Sequence, residues 1–175
     1  MALLVSSTAL AGYTAWTHTH PVRLEASVEI AAEPEQVWDV LTDFDAYPRW
    51  NPFLQEAEVT SAGAELRPGA TLRNRMVDAG GASTFTPTVQ VVEPDRELRW
   101  LGKVGPGWLA DGEHRFLIEP TGHGTVRLIQ SERFTGVLIP FVEGYLKDNT
   151  LPQFHAMNQA LKERAEHLAT RADDS

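Results

Sequence analysis

The sequence predicts one α+β domain in which a curved, seven-stranded antiparallel sheet wraps around a long C-terminal helix. Residues 54–134 hold six short strand-like runs separated by glycine and proline, and connections this short join antiparallel neighbours. A seventh run lies nearer the start, and residues 142–168 repeat apolar side chains at helical spacing. A length of 175 residues suits one domain.

The first strand and the two short helical elements that follow it are marked by local patterns. From Val22 to Ile30 apolar and polar residues alternate, which is typical of a half-buried strand. Pro34 suits the first turn of a helix, which we expect over residues 35–41. Residues 45–53 combine two prolines with aromatic side chains. This composition forbids a continuous helix and predicts a structured elbow between helix and sheet.

The remaining strands follow as sequential hairpins. Gly-Gly, Pro-Gly and Pro-Asp pairs, among them Gly80-Gly81, supply the turns between them. Pro87 has no N–H to donate, so its strand is either bulged or placed where the donor is not needed. The predicted strands cover residues 54–60, 70–77, 83–92, 97–101, 111–119 and 125–134.

The last long element is a helix over residues 142–168. Phe154, Met157 and Leu161 recur on one of its faces. Pro152 should kink this helix or separate a preceding turn from its main part.

The two ends of the chain lie outside the predicted domain, which covers residues 21–170. Residues 1–20 form an apolar segment whose uncharged run, residues 2–16, is shorter than the roughly 20 residues that span a bilayer. It is read as an ordinary or frayed terminus, a remnant membrane anchor or an atypical export signal. We expect a cytoplasmic protein, with membrane contact or export through this segment as the alternatives. Residues 171–175 form an acidic tail.

Composition excludes several kinds of chemistry. Fifteen basic residues against 24 acidic ones give a net charge of −9, which disfavours nucleic acid as a partner. Without cysteine the chain forms no disulfide, thiolate nucleophile or cysteine-based zinc site. His18 and His20 lack further ligands for a metal, and no glycine-rich phosphate loop is present. We therefore predict neither a metal nor a cofactor.

Several segments resemble those of one superfamily. They are VWDVLTDFDAYPRWNPF at residues 37–53, EPDRELRW at 93–100, HRF at 114–116, SERFTG at 131–136 and FHAMNQALK at 154–162. From Val22 to Leu168 the chain is similar to the START-like helix-grip superfamily (SRPBCC), and most of all to its polyketide cyclase/dehydrase-like branch. The resemblance implies a cavity between the curved sheet and the terminal helix. Proteins of this kind include lipid and hormone binders, polyketide cyclases and chaperone activators, so the scaffold alone does not name the function.

Three polar residues interrupt the apolar faces of the last two predicted strands. His114 shares a face with Phe116, whereas Gln130 and Glu132 share a face of the next strand. In a hairpin, His114 lies opposite either Gln130 or Glu132, and both registers bring the three together. Three interpretations are open. The three side chains satisfy one another's hydrogen bonds and have a structural role only, or they anchor a ligand through polar contacts, or His114 and Glu132 act as acid/base groups.

Large apolar side chains from the strands and the helix are candidates for the cavity wall, with a solid core as the alternative. The candidates are Phe85, Trp100, Trp108, Phe116, Phe154, Met157 and Leu161. By contrast, Trp50, Asn51 and Pro52 match the family's elbow, and we expect them to pack and close one end of the fold.

We expect the protein to bind a hydrophobic small molecule that is lipid-like, polyketide or aromatic. The alternative is a polyketide cyclase or dehydratase in which His114 and Glu132 carry protons. A weaker alternative is a protein-interaction or chaperone-cofactor module, which would need an exposed apolar patch.

Overall fold

The structure is a computed structural model that describes residues 2–78 and 81–173. Within them, two antiparallel sheets enclose a core that the C-terminal helix completes. The helices are α1 (Ala2–Thr19), α2 (Pro34–Thr42), α3 (Tyr47–Trp50), α4 (Ile139–Tyr145) and α5 (Leu151–Asp173). The strands are β1 (Val22–Ile30), β2 (Leu54–Val59), β3 (Leu72–Asp78), β4 (Gly81–Phe85), β5 (Thr88–Glu93), β6 (Glu97–Val104), β7 (Ala110–Gly122) and β8 (Thr125–Thr135). The α+β class and the antiparallel arrangement are confirmed.

The described strands number eight in two sheets, one more than the sequence predicted. The larger sheet has the order β1-β8-β7-β6-β5 and the smaller has the order β2-β3-β4. The run 83–92 was predicted as one strand, but it divides at Pro87 into β4 and β5. Pro87 has no amide hydrogen, and its carbonyl instead accepts a 2.9 Å hydrogen bond from the Leu72 amide. A bridge between Thr71 and Thr88 links the two sheets at this point. Gly80, in the predicted turn before β4, lies outside the described residues.

The elbow between α2 and β2 is held by two internal contacts. The buried Tyr47 hydroxyl donates to the Leu41 carbonyl across 2.5 Å. The Asn51 side-chain oxygen accepts from the amides of Phe53 and Leu54 at 3.0 and 2.8 Å. These contacts give the segment a packing role, because they fix the direction in which the chain enters β2.

The terminal helical region is interrupted before Pro152. A π-helical segment, Leu146–Thr150, joins α4 to α5, and Pro152 stands in the first turn of α5. This arrangement matches the predicted separation of a preceding turn, because proline is tolerated where helix N–H groups have no partner. Within α5, Phe154, Met157 and Leu161 are completely buried.

Three polar side chains of α5 attach it to β1 and to the residue that follows. Asn158 donates to the Ala26 carbonyl at 3.2 Å, and Lys162 donates to the Glu29 carbonyl at 2.7 Å. Glu166 accepts from the Ala31 amide at 2.8 Å. Because these bonds involve backbone groups of β1 and of Ala31 directly after it, they set the position of α5 along β1.

The N-terminal segment is the helix α1. Tyr13 donates to the Val137 carbonyl at 3.2 Å, and Arg133 donates to the His18 carbonyl at 3.2 Å, so α1 contacts the end of β8 and the segment after it. Every helix within residues 2–78 and 81–173 falls short of the length and apolarity needed to cross a membrane. Of the acidic tail, residues 174 and 175 lie outside the described part of the chain.

A nearly buried carboxylate, Glu97, forms salt bridges with two arginines on the outer face of the larger sheet. The Glu97 carboxylate, only 7% exposed, accepts from Arg99 and Arg115 at 2.6 Å each. Burial by itself would raise the pKa of Glu97, but the hydrogen bonds from Arg115 and Arg99 outweigh it and hold that pKa below its usual range. Its contribution to stability is therefore complete above the unfolded-chain pKa of about 4.3 and is lost as the pH falls through the lower folded value.

We expect Glu97→Gln to destabilise the protein clearly at pH 7 and less at pH 3, because the charged Glu97 contributes less stability below the unfolded-chain pKa of about 4.3. Urea unfolding at both values measures the two differences. Glu93→Gln is the control, since the Glu93–Arg96 pair is largely exposed and should contribute little at either pH. An equal loss for Glu97→Gln at both pH values would contradict the assignment.

Candidate functional site

A cavity of about 320 Å³ lies between the two sheets and the terminal helical region. One wall comes from β6, β7 and β8, the opposite wall from β2, β3 and β4, and helical residues close the space. A volume of this size is at the lower end of the range of about 300 to 1,000 Å³ for small-molecule sites.

The apolar candidates divide between the cavity wall, the core and the surface. Phe85, Trp100, Phe116 and Met157 line the cavity. Phe154 and Leu161 are fully buried in the core and are not among the lining residues. Trp108 lies in the loop between β6 and β7, where it is 47% exposed and outside the cavity lining.

Sequence reasoning missed part of the wall. The smaller sheet contributes Asn74 and Met76 from β3 and Ser83 from β4, and the segment before it contributes Phe53. The helical region adds Ile139, Tyr145, Leu146 and Thr150. The alternation of Asn74 and Met76 along β3 is the available signal, since it places both on one face. Which face meets the cavity depends on how the two sheets pack.

The polar candidates come together on the inner face of β7 and β8. His114 lies directly opposite Glu132, and Phe116 lies opposite Gln130. The register is therefore the second of the two considered from sequence. All three polar residues line the cavity.

One hydrogen-bonded row joins Glu132, His114 and Gln130. A carboxylate accepts hydrogen bonds only, so His114 Nδ1 donates to Glu132 Oε2 across 3.1 Å. The side-chain NH₂ group of Gln130 donates only, so His114 Nε2 accepts from it across 3.1 Å. Gln130 Nε2 also lies 3.7 Å from the Met157 sulfur. Both nitrogens of His114 thus have protein partners.

Aromatic rings surround His114 on several sides. Trp100 stacks on the imidazole with ring centroids 5.1 Å apart and planes 14° from parallel. Phe116 and Phe154 approach it at 4.8 and 5.0 Å. Because these rings and the two hydrogen bonds restrict the imidazole, it presents a fixed orientation to the cavity.

A glycine makes room for the Glu132 carboxylate. Gly112 lies across from Phe134 in the β7–β8 pair, and a methyl group built on it would overlap Glu132 Oε1. The absence of a side chain at Gly112 lets the carboxylate lie flat against β7, within reach of His114. Gly112 is therefore part of the polar site although it carries no functional group.

The histidines of the N-terminal segment have backbone partners. The ring nitrogens of His18 lie 2.8 and 3.3 Å from the carbonyl oxygens of Thr14 and Gly107, and His20 Nδ1 lies 3.0 Å from that of Trp16. In the part of the chain that the structure describes, no three His, Asp or Glu side chains converge as a metal site requires.

With this geometry established, the family follows from sequence comparison. The family described as "Polyketide cyclase / dehydrase and lipid transport" matches residues 21–173, and the chain belongs to that family. The match confirms the predicted resemblance to the START-like superfamily and its polyketide cyclase/dehydrase-like branch. No curated protein sequence matches the chain.

Solved structures share the fold. The aromatase/cyclase Zhui from Streptomyces sp. R1128 is 18% identical with a TM-score of 0.68, covering 84% of this chain and 94% of its own. A START superfamily protein from Mycobacterium smegmatis is 25% identical with a TM-score of 0.64, covering 83% and 98%. The di-domain ARO/CYC StfQ from the steffimycin biosynthetic pathway is 17% identical with a TM-score of 0.69, covering 86% and 52%.

We expect Gly112→Ala to separate Glu132 from His114, since the added methyl group needs the space of the carboxylate. Because the overlap is with the far end of a flexible side chain, the carboxylate should move at little cost in stability, and the NMR signals of the His114 ring should shift. Gly102→Ala is the matched control, because Gly102 is the partner of Gly112 on β6 and its added methyl group would meet only ordinary van der Waals contact. Unchanged His114 signals in Gly112→Ala would show that the carboxylate does not depend on this space.

Proposed function

We propose that the protein binds a hydrophobic small molecule in the cavity between the sheets and the terminal helical region. The observation that supports this most directly is a 320 Å³ cavity whose wall is mostly apolar but includes the oriented row of Glu132, His114 and Gln130. An apolar space with a few placed polar groups is the usual form of a small-molecule site. Membership of a family described by cyclase, dehydrase and lipid transport fits the same role.

Apolar contact supplies the affinity in this proposal. A ligand that buries about 250 Å² of apolar surface gains roughly 6 kcal/mol at about 25 cal/mol per Å², before the costs of association are subtracted. Trp100, Phe116 and Met157 provide this contact on the sheet and helix sides of the cavity. The polar row then orients the ligand, because its acceptors occupy one side of the wall.

Binding ranks above catalysis because of how His114 is engaged. Its two ring nitrogens already have partners in Glu132 and Gln130, so the imidazole contacts a substrate proton only after one of these bonds breaks. A general base must lie within hydrogen-bond reach of its proton. The observed hydrogen bonds therefore favour a binding role, in which His114 is a fixed polar group of the cavity wall, over a catalytic role.

We expect substitution of Trp100 to change which ligands bind. Trp100→Ala should enlarge the cavity and shift preference towards bulkier ligands, and Trp100→Phe should do so less while keeping more of the core packing. Binding is measured by titrating a series of apolar fluorescent probes of increasing ring number. Since a buried Trp→Ala change costs about 3–5 kcal/mol of stability, the Phe variant covers the case in which Ala prevents folding.

Trp108→Ala is the matched control for this series. Trp108 lies outside the cavity lining, so its removal should leave the ranking of probes as in wild type. If Trp100→Phe and Trp108→Ala both keep the wild-type ranking, Trp100 is not in contact with the ligand. If wild type binds none of the probes, the proposed function is wrong.

A second candidate function, polyketide cyclisation or dehydration, is favoured by the pairing of His114 with Glu132 at 3.1 Å in the cavity wall. In this role Glu132 would take a proton from a carbon between two carbonyl groups, and the resulting carbanion would attack a third carbonyl of the same chain. The proton would return to the new alkoxide. His114 would hold the carboxylate in place, and the cavity would keep the chain folded.

For the cyclase, we expect Glu132→Gln to lower turnover of a poly-β-ketone thioester by on the order of 100-fold or more, since general acid/base catalysis contributes that much. Ligand affinity should persist, because the amide fills the same space. The control is Glu113→Gln, on the opposite face of β7. Turnover in Glu132→Gln equal to wild type would remove Glu132 from the mechanism.

A further inference from the structure

We propose that the cavity selects uncharged apolar ligands that carry hydroxyl groups as hydrogen-bond donors, and that it rejects carboxylates. This inference rests on the proposed binding function and specifies its ligand. It follows from the direction of the hydrogen bonds in the cavity wall and from two buried side-chain amide oxygens of the described lining that have no donor, beside which Asp111 Oδ1 is also unpaired.

The first unpaired oxygen belongs to Gln130, at the end of the polar row. His114 Nδ1 donates to Glu132 Oε2, and the NH₂ group of Gln130 faces His114 Nε2 and donates to it. With the NH₂ group turned towards His114, Oε1 of Gln130 lies on the other side of the amide. Gln130 is 0% exposed, and within the described residues Oε1 has no hydrogen-bond partner.

The second unpaired oxygen lies in the opposite wall. Asn74 stands on β3 of the smaller sheet and is 3% exposed. In the described part of the chain its Oδ1 also has no hydrogen-bond partner. Gln130 and Asn74 both line the cavity, so acceptors without donors occur in each of its two walls. Both are polar side chains among the apolar residues that make up most of the lining.

The energetics of these oxygens favour a ligand that donates. A buried acceptor without a partner has lost its hydrogen bonds to water, and a ligand hydroxyl group that donates to it supplies the missing bond. A ligand without a donor leaves the acceptor unpaired. The affinities of a ligand with a donor and a ligand without one should therefore differ by more than the net contribution of one ordinary hydrogen bond in water.

Two of the three charged groups in the described lining are carboxylates, which disfavour acidic ligands. Glu132 and Asp111 are carboxylates of the described lining, and the Glu132 side chain is 17% exposed. The third charged group, Lys103, lies at the exposed end of β6. A ligand carboxylate placed against Glu132 would meet a like charge and only accepting oxygens, which is unfavourable in an apolar surrounding.

A matched ligand series tests this selection, because its members share one naphthalene ring system and differ only in their substituents. The dissociation constants of 2,6-dihydroxynaphthalene, 2-naphthol, 2,6-dimethoxynaphthalene and 2-naphthoate are measured by isothermal titration. We expect the diol to bind at least tenfold more tightly than the dimethoxy compound, with 2-naphthol between them and 2-naphthoate weakest. A cavity that recognised apolar surface alone would favour the dimethoxy compound.

Two variants assign the selection to the unpaired oxygen of the smaller sheet. Asn74→Leu removes the acceptor and keeps the number and branching of the side-chain heavy atoms, and we expect the preference for diol over dimethoxy to fall severalfold. Gln90→Leu, an amide-to-leucine change at an exposed position of β5 outside the lining, should leave that preference unchanged. Thermal melts of both variants check folding, and Asn74→Leu should melt no lower than wild type, because it removes an unpaired polar group from the interior.

The outcomes separate this inference from the proposed function. If the dimethoxy compound binds as tightly as the diol, or if 2-naphthoate binds best, the donor selection is wrong while the binding function stands. If Asn74→Leu keeps the full preference, Asn74 has no part in the selection, and the two-walled site is wrong. If no member of the series binds, the binding function fails, and the selection fails with it.

Discussion

The burial of one face of α5 against the sheets is the constraint on which the rest of this structure depends. Phe154, Met157 and Leu161 are removed from water together, and each such side chain contributes about 1.5–3 kcal/mol. Apolar burial has no direction, so it would tolerate sliding of the helix. The hydrogen bonds of Asn158 and Lys162 to backbone carbonyls of β1 set the position, and the remaining space between α5 and the sheets becomes the cavity.

Within that space, hydrogen-bond direction organises the polar wall. His114 Nδ1 donates to the carboxylate of Glu132, and the Gln130 NH₂ group donates to His114 Nε2, so each bond restricts the orientation of the next side chain. Gly112 permits the arrangement because it leaves the volume that the carboxylate occupies. A chain of groups in which each partner restricts the next is a means of presenting fixed polar atoms to a ligand.

Membership of the family and the likeness to solved structures account for the scaffold. The ligand preference that we propose for this protein depends on the residues that line the cavity. An apolar wall that carries acceptors in both sheets suits a neutral ligand with hydroxyl groups, and the structure relates this preference to specific atoms. The loop that carries Trp108 and the helix α1 lie outside this arrangement, since neither forms part of the lining.

The sequence by itself determined the α+β class, both bounds of β1, the break near Pro152 and the shared face of Gln130 and Glu132. These features depend on local periodicity and on the covalent limits of proline, which act between near neighbours. Only the tertiary structure decided that Pro87 separates two strands, that His114 lies opposite Glu132, and that Trp108 points away from the cavity while Asn74 lines it. Those outcomes depend on how two sheets and a helix pack over long sequence separations, and the alternation of side chains along one strand carries no information about which face another element covers.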